Sequence, residues 1–136
     1  MAWVVDTCLL LDVALDDTVH YEDAEQLLTI RRQDGLVICP VTLVEIAPAF
    51  MGNLSDAKEF LASIAVESDE PWTAADTASA FAAWYRCVLR RRQTRSPRRP
   101  IADIQIGAFA SRFDGLLTRN TSDFRPTFPN LRILEP

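Results

Sequence analysis

Trp3-Val4-Val5-Asp6-Thr7 decides how the rest of the chain is read. Three aromatic or β-branched residues in a row, with no polar alternation, predict a short strand covered on both faces. The strand ends on a carboxylate, and Leu9 to Leu15 then favours a helix. A carboxylate at the end of a buried strand needs a partner, so Asp6 is the residue hardest to explain as mere surface.

The same alternation of short apolar runs and helical patterns continues outward from this point. Leu36-Val37-Ile38-Cys39 follows an Asp34-Gly35 stop and predicts a second strand. Ala65-Val66-Glu67, Leu116-Leu117-Thr118 and Leu131 to Leu134 predict three more. Helical spacing is expected over Glu22–Arg32, through Ala24, Leu27, Leu28 and Ile30, and again over Thr42–Phe50 and from Ser55 to Ile64. In the long run Thr73–Arg92, Thr73 and Asp76 resemble a capping box. There the positions Ala75, Ala78, Phe81, Ala82, Tyr85, Val88 and Leu89 repeat at helical spacing, and Trp72, Trp84, Tyr85 and Phe81 read as core or dimer contacts. Pro100 suits the first turn of a helix reaching about Arg112. Strands alternating with helices give an α/β fold, a three-layer α/β/α domain with a central, mostly parallel sheet. At 136 residues the expectation is a single domain over 1–136.

Charge is unevenly distributed. Residues 1–85 hold fifteen acids and three bases, and residues 86–136 hold four acids and eleven bases, so balances of −12 and +7 sum to −5. Separate anionic and cationic surfaces are expected, the second inviting an acidic partner. Three cysteines without CxxC spacing argue against a disulfide framework and for a reducing compartment. No secretory leader is seen, and no stretch reaches the roughly 18 apolar residues of a membrane span, so a cytoplasmic protein without membrane attachment is expected. The one histidine, His20, leaves little for a Ser-His-Asp triad or a histidine-rich zinc site.

In a parallel sheet, ligands bind outside the carboxyl ends of the strands. Asp6 ends the first strand, Glu45 follows the second, Asp103 lies in the first helical turn after Pro100, and Asp123 follows the fourth strand. The four acids can converge on one edge. Carboxylates that close raise one another's pKa, and a hard cation such as Mg²⁺ or Mn²⁺ relieves the repulsion while keeping positions open for water and phosphate. Each acid also has a structural reading. Asp103 favours a helix dipole, Thr42-x-x-Glu45 has the spacing of a capping box, and Asp123 could cap a turn.

Taken together, Val4-Val5-Asp6-Thr7, Val44-Glu45-Ile46, Pro100-Ile101-Ala102-Asp103-Ile104-Gln105-Ile106-Gly107-Ala108 and Leu117-Thr118-Arg119-Asn120-Thr121-Ser122-Asp123-Phe124 resemble the motifs of the PIN-domain family, in its order and spacing. The nearest group is the VapC toxins of prokaryotic type II toxin–antitoxin systems. The resemblance implies a Mg²⁺- or Mn²⁺-dependent endoribonuclease toxin. Asp6 and Asp103 would be the main metal ligands, Glu45 a ligand or an orienter of the nucleophile, and Asp123 the fourth acid. Thr7, Thr118 and Asn120 would support them. It also implies a homodimer and a VapB-like cognate antitoxin. The sequence departs from the family at Cys8, where Ser or Asn is usual, and at Asn120, where some members carry an acid. Both departures keep open an alternative, a catalytically weak PIN-like module that acts only through RNA or protein partners. Phosphatase and receiver chemistry fit poorly: a second acid is missing at Cys8, and the only lysine is Lys58.

Arg86, Arg90, Arg91, Arg92, Arg95, Arg98 and Arg99 fall within fourteen residues just before Asp103. Three readings stand side by side: a rim that contacts RNA phosphates, a solvated helix end, and a surface for an acidic antitoxin segment.

Overall fold

The computed structural model describes residues 1–95 and 100–136. Five strands, β1 (Trp3–Val5), β2 (Leu36–Val37), β3 (Val66–Glu67), β4 (Gly115–Leu117) and β5 (Ile133–Leu134), form one sheet in the order β3-β2-β1-β4-β5. Every pairing is parallel, with Trp3 opposite both Leu36 and Gly115. The helices are α1 (Thr7–Ala14), α2 (Tyr21–Arg31), α3 (Pro40–Glu45), α4 (Leu54–Ser63), α5 (Ala74–Thr94), α6 (Ile101–Ala110) and α7 (Thr121–Phe124).

Successive strand side chains point to opposite faces, so an apolar run feeds two cores. Trp3, Val5, Leu36 and Leu117 join Leu9, Leu10, Leu27, Leu28 and Leu61 on the face covered by α1, α2 and α4. Val4, Val37 and Leu116 join Ala83, Cys87, Ile104, Phe109 and Phe124 under α5, α6 and α7. This is the expected α/β/α layering, and it explains why the strands show no polar alternation. Gly107 of α6 permits its closest packing: a Cβ there would lie 2.2 Å from the Phe128 ring.

Two expectations need correction. The helix expected over Thr42–Phe50 is instead α3, Pro40–Glu45, followed by a 3-10 turn over Ala47–Phe50, with Pro48 near the start of that turn. Pro48 has no N–H to continue an α-helix. Because α3 starts at Pro40, Thr42 is interior and the proposed Thr42–Glu45 capping box does not form.

The second correction concerns α5. Its capping box is present, with Thr73 and Asp76 bonded reciprocally. The face it buries, however, is Asp76, Ala83 and Cys87, with Ala80 and Trp84 partly buried beside them. Of the stripe expected from the sequence, only Val88 is half-buried, whereas Phe81 and Tyr85 are 78% and 62% exposed. The buried face includes a charge because Arg112 reaches Asp76 with Nε, 2.9 Å from Oδ1. Arg112 also donates to Pro71 O and stacks over Phe109 and Phe113. A partnered carboxylate can be buried where a lone one cannot.

Candidate active site

Strand order reverses at β1, which pairs with β2 on one side and β4 on the other. The carboxyl ends of β1 and β4 are thus the edge where a parallel sheet opens a crevice. Asp6 leaves β1 there and serves as the N-cap of α1. Only 5% of it is exposed. Its Oδ1 accepts from Thr7 N at 2.8 Å, and its Oδ2 accepts from Thr118 Oγ1 at 2.7 Å and from Cys8 Sγ at 3.4 Å. Burial pushes the Asp6 carboxyl above its ordinary value. The Thr118, Cys8 and Thr7 donors pull it back down, and the neighbouring Glu45 charge pushes it up again.

Cys8, where the family resemblance implied Ser or Asn, contributes to this support. Burial, reinforced by the Asp6 charge, holds its thiol up at about 12, so the group keeps its proton and can donate.

Glu45 comes from the other side of β1, at the last residue of α3. Thr7 Oγ1 donates to Glu45 Oε1 at 2.7 Å and lies 3.2 Å from the buried Thr42 Oγ1. One threonine, next in sequence to Asp6, therefore ties the two acids together. Thr118 is fully buried, and its hydroxyl also accepts from Asn120 N at 3.0 Å. The structure thus brings Asp6, Thr7, Glu45 and Thr118 into one bonded group, with the Asn120 backbone attached.

Asp103 and Asp123 are half-buried in the first turns of α6 and α7. Helix α6 packs against both α3 and β1. Among the described residues, no three His, Cys, Asp or Glu side chains are gathered as a ready-made ion cage. What the site offers is a pair of hard oxygen donors, Asp6 and Glu45. This fits a Mg²⁺-type ion, which is commonly held by one or two carboxylates, with water and substrate phosphate in the remaining positions.

The arginine run divides. Arg86 Nη2 donates to Thr127 O at 3.3 Å, and Arg90 donates to Pro126 O at 2.9 Å and Thr127 Oγ1 at 2.8 Å. Both fasten α5 to the segment after α7. Arg91 is half-buried, and Arg92 and Arg95 are exposed at the end of α5. Arg98 and Arg99 lie outside the described residues.

One pair beside the site is not evident from the motifs. Arg119, between Thr118 and Asn120, grips the buried Asp12 of α1 with two bonds, Nε to Oδ2 at 2.9 Å and Nη2 to Oδ1 at 3.1 Å. The pair clamps the strand end that carries Thr118 to the helix that starts at Asp6. The signal in the sequence is Asp12 itself, a charge in the apolar run Leu9 to Val13, one helical turn after Cys8.

No family model matches the chain, and no curated protein does. Among solved structures, a chain from the crystal structure of VapBC2 from Rickettsia felis, bound to a DNA fragment from their promoter, superposes with a TM-score of 0.66 at 13% identity. The match covers 99% of this chain and 98% of that one. The PIN-like α/β/α fold read from the sequence is therefore the fold this chain adopts.

Proposed function

We propose that the protein is a Mg²⁺- or Mn²⁺-dependent endoribonuclease, a VapC-like toxin. The observation that carries this reading is the buried Asp6 carboxylate. It sits at the switch point of the sheet, is held by donors from α1 and β4, and is tied through Thr7 to Glu45. A toxin–antitoxin protein at nearly full-length coverage supports it through the fold.

In this reading Asp6 and Glu45 hold the ion, with Asp103 and Asp123 contributing from α6 and α7. A bound Mg²⁺ or Mn²⁺ would supply an acidified water and offset charge on the phosphodiester. Thr7, by bonding Glu45 Oε1, fixes the side chain that orients the attacking water. Thr118 and Cys8 hold the Asp6 carboxylate in place and favour its charged form. Half-buried Arg91 and exposed Arg92 and Arg95 draw in the RNA backbone.

We also propose a homodimer and inhibition by a VapB-like antitoxin. The exposed residues Phe81, Tyr85 and Leu89, spaced four apart on α5, support burial against a partner chain.

The test is cleavage of labelled RNA by purified protein in Mn²⁺. Activity should vanish in Asp6→Asn and with excess chelator, and undiminished cutting in either case overturns the reading. Calorimetric Mn²⁺ binding that Asp6→Asn abolishes, without any RNA cleavage, would instead favour the binding-module alternative.

A further inference from the structure

The amino-terminal edge of the sheet, opposite the acids, holds a cavity of about 320 Å³. Asp114 immediately precedes β4 and Arg132 immediately precedes β5, and both line it. Arg86 reaches it from α5, and Ser79 and Asn130 complete its polar wall.

Two features set this cavity apart from ordinary surface. First, the chain carries nineteen acids against fourteen bases, yet among the described residues neither Arg86 nor Arg132 forms an ion pair with an acid. Asp114 lines the same cavity and is bridged to neither arginine. Second, both guanidinium groups are already held in place. Arg86 is fixed by its bond to Thr127 O, and Arg132 lies over the buried Trp3 ring at 5.1 Å from its centroid. Among the described residues, each keeps further N–H donors unused. Two positioned guanidinium forks that line one cavity with hydroxyl and amide side chains suit the oxygens of a phosphate. Prior positioning lowers the entropic cost of binding.

We propose that this cavity is a phosphate-binding site, distinct from the acidic site at the carboxyl edge. Its ligand is a phosphate monoester, the terminal phosphate of a nucleotide or of an RNA end. Asp114 limits the site to ligands with enough negative charge to offset one opposing carboxylate. A phosphate near −2 meets this condition, and a simple carboxylate does not.

The experiment follows backbone amide resonances of Ser79, Asn130 and Leu131 while the full chain is titrated with inorganic phosphate at constant ionic strength. A saturable shift in the millimolar range is expected, at least tenfold weaker in both Arg132→Gln and Arg86→Gln. Thermal melts check that each variant is folded. If Arg86→Gln fails to fold, Arg132→Gln alone carries the test, because among the described residues the Arg132 side chain makes only its contact with the Trp3 ring. Absence of a saturable shift, an equal response to acetate, or unchanged affinity in folded Arg132→Gln overturns the proposal. Parallel titrations with a nucleoside monophosphate and a short 5′-phosphorylated RNA distinguish the sources: tighter RNA binding assigns the site to an RNA end, and equal binding to a free nucleotide. The site does not depend on the nuclease reading, since Asp6→Asn removes cleavage but should leave these shifts intact.

Discussion

Thr118 donates to Asp6 across the boundary between β4 and β1, Oγ1 to Oδ2 at 2.7 Å, although 112 residues separate them. This bond joins the two strand ends at which the sheet opens. It also tunes the acid, because donation to the charged carboxylate opposes the effect of its burial.

Asp6 makes stability depend on pH. A carboxyl whose folded pKa is raised binds its proton more tightly in the folded state. Its contribution is complete below the unfolded value of 3.8 and is lost as pH rises through the folded value. Asp6→Asn removes this loss. In metal-free buffer the variant should therefore melt above wild type at neutral pH, with the gap closing toward pH 3. Thr118→Val should act oppositely on the acid, raising the Asp6 pKa further and moving the acid limb of the cleavage profile to higher pH. Melting curves and rate profiles across pH 4–8 read both effects, and coincident curves for Asp6→Asn and wild type would falsify the first.

Breaking the Asp12–Arg119 pair should be costly. Arg119→Ala leaves a buried carboxylate unpaired. The expected loss is about 2 kcal/mol, below the roughly 3–5 of a fully buried pair, because Arg119 is 35% exposed. Asp12→Leu combined with Arg119→Met should recover most of it. Urea unfolding of Asp12→Leu, Arg119→Met and the double variant measures the cycle, and additive losses in the double variant contradict the pairing.

The arginines of α5 should separate into two kinds. Arg90→Ala removes two hydrogen bonds and strands the buried Thr127 hydroxyl, with an expected loss of about 1–3 kcal/mol. Arg92→Ala should stay within about 0.5 kcal/mol of wild type. Neutralising Arg91, Arg92 and Arg95 together should lower the salt slope of RNA binding by about 2, at roughly 0.7 per contact for a single strand. Filter binding over a salt series reads the slope, and no change in it removes these residues from the RNA path.

Gly107→Ala tests the packing of α6. Helix propensity alone favours alanine by about 1 kcal/mol. The added methyl would lie 2.2 Å from the Phe128 ring, so the clash should reverse the sign and destabilise by roughly 1–3 kcal/mol. Adding Phe128→Leu should recover part of the loss. Calorimetric melts decide, and a stabilised single variant shows that the ring moves aside freely.

Local patterning determined a good deal. Uninterrupted apolar strands signalled a sheet covered on both faces, because strand side chains alternate and both directions had to be apolar. The Thr73–Asp76 capping box was visible because it is made by residues three apart. Asp6 stood out because a carboxylate ending such a strand must be partnered. Tertiary structure decided what depends on groups distant in the chain. The buried face of α5 was set by Arg112 reaching Asp76, which turned the more apolar stripe of Phe81 and Tyr85 outward. The role of Glu45 was set by the Thr7 hydroxyl rather than by the Thr42 spacing that suggested a cap. Arg86 and Arg90 were drawn from the arginine run to hold Thr127, and Asp12 found Arg119. Periodicity in a sequence reports which residues can be buried. Which of them are buried, and which charges meet, is fixed only when elements far apart in the chain pack and each buried polar group must find its partner.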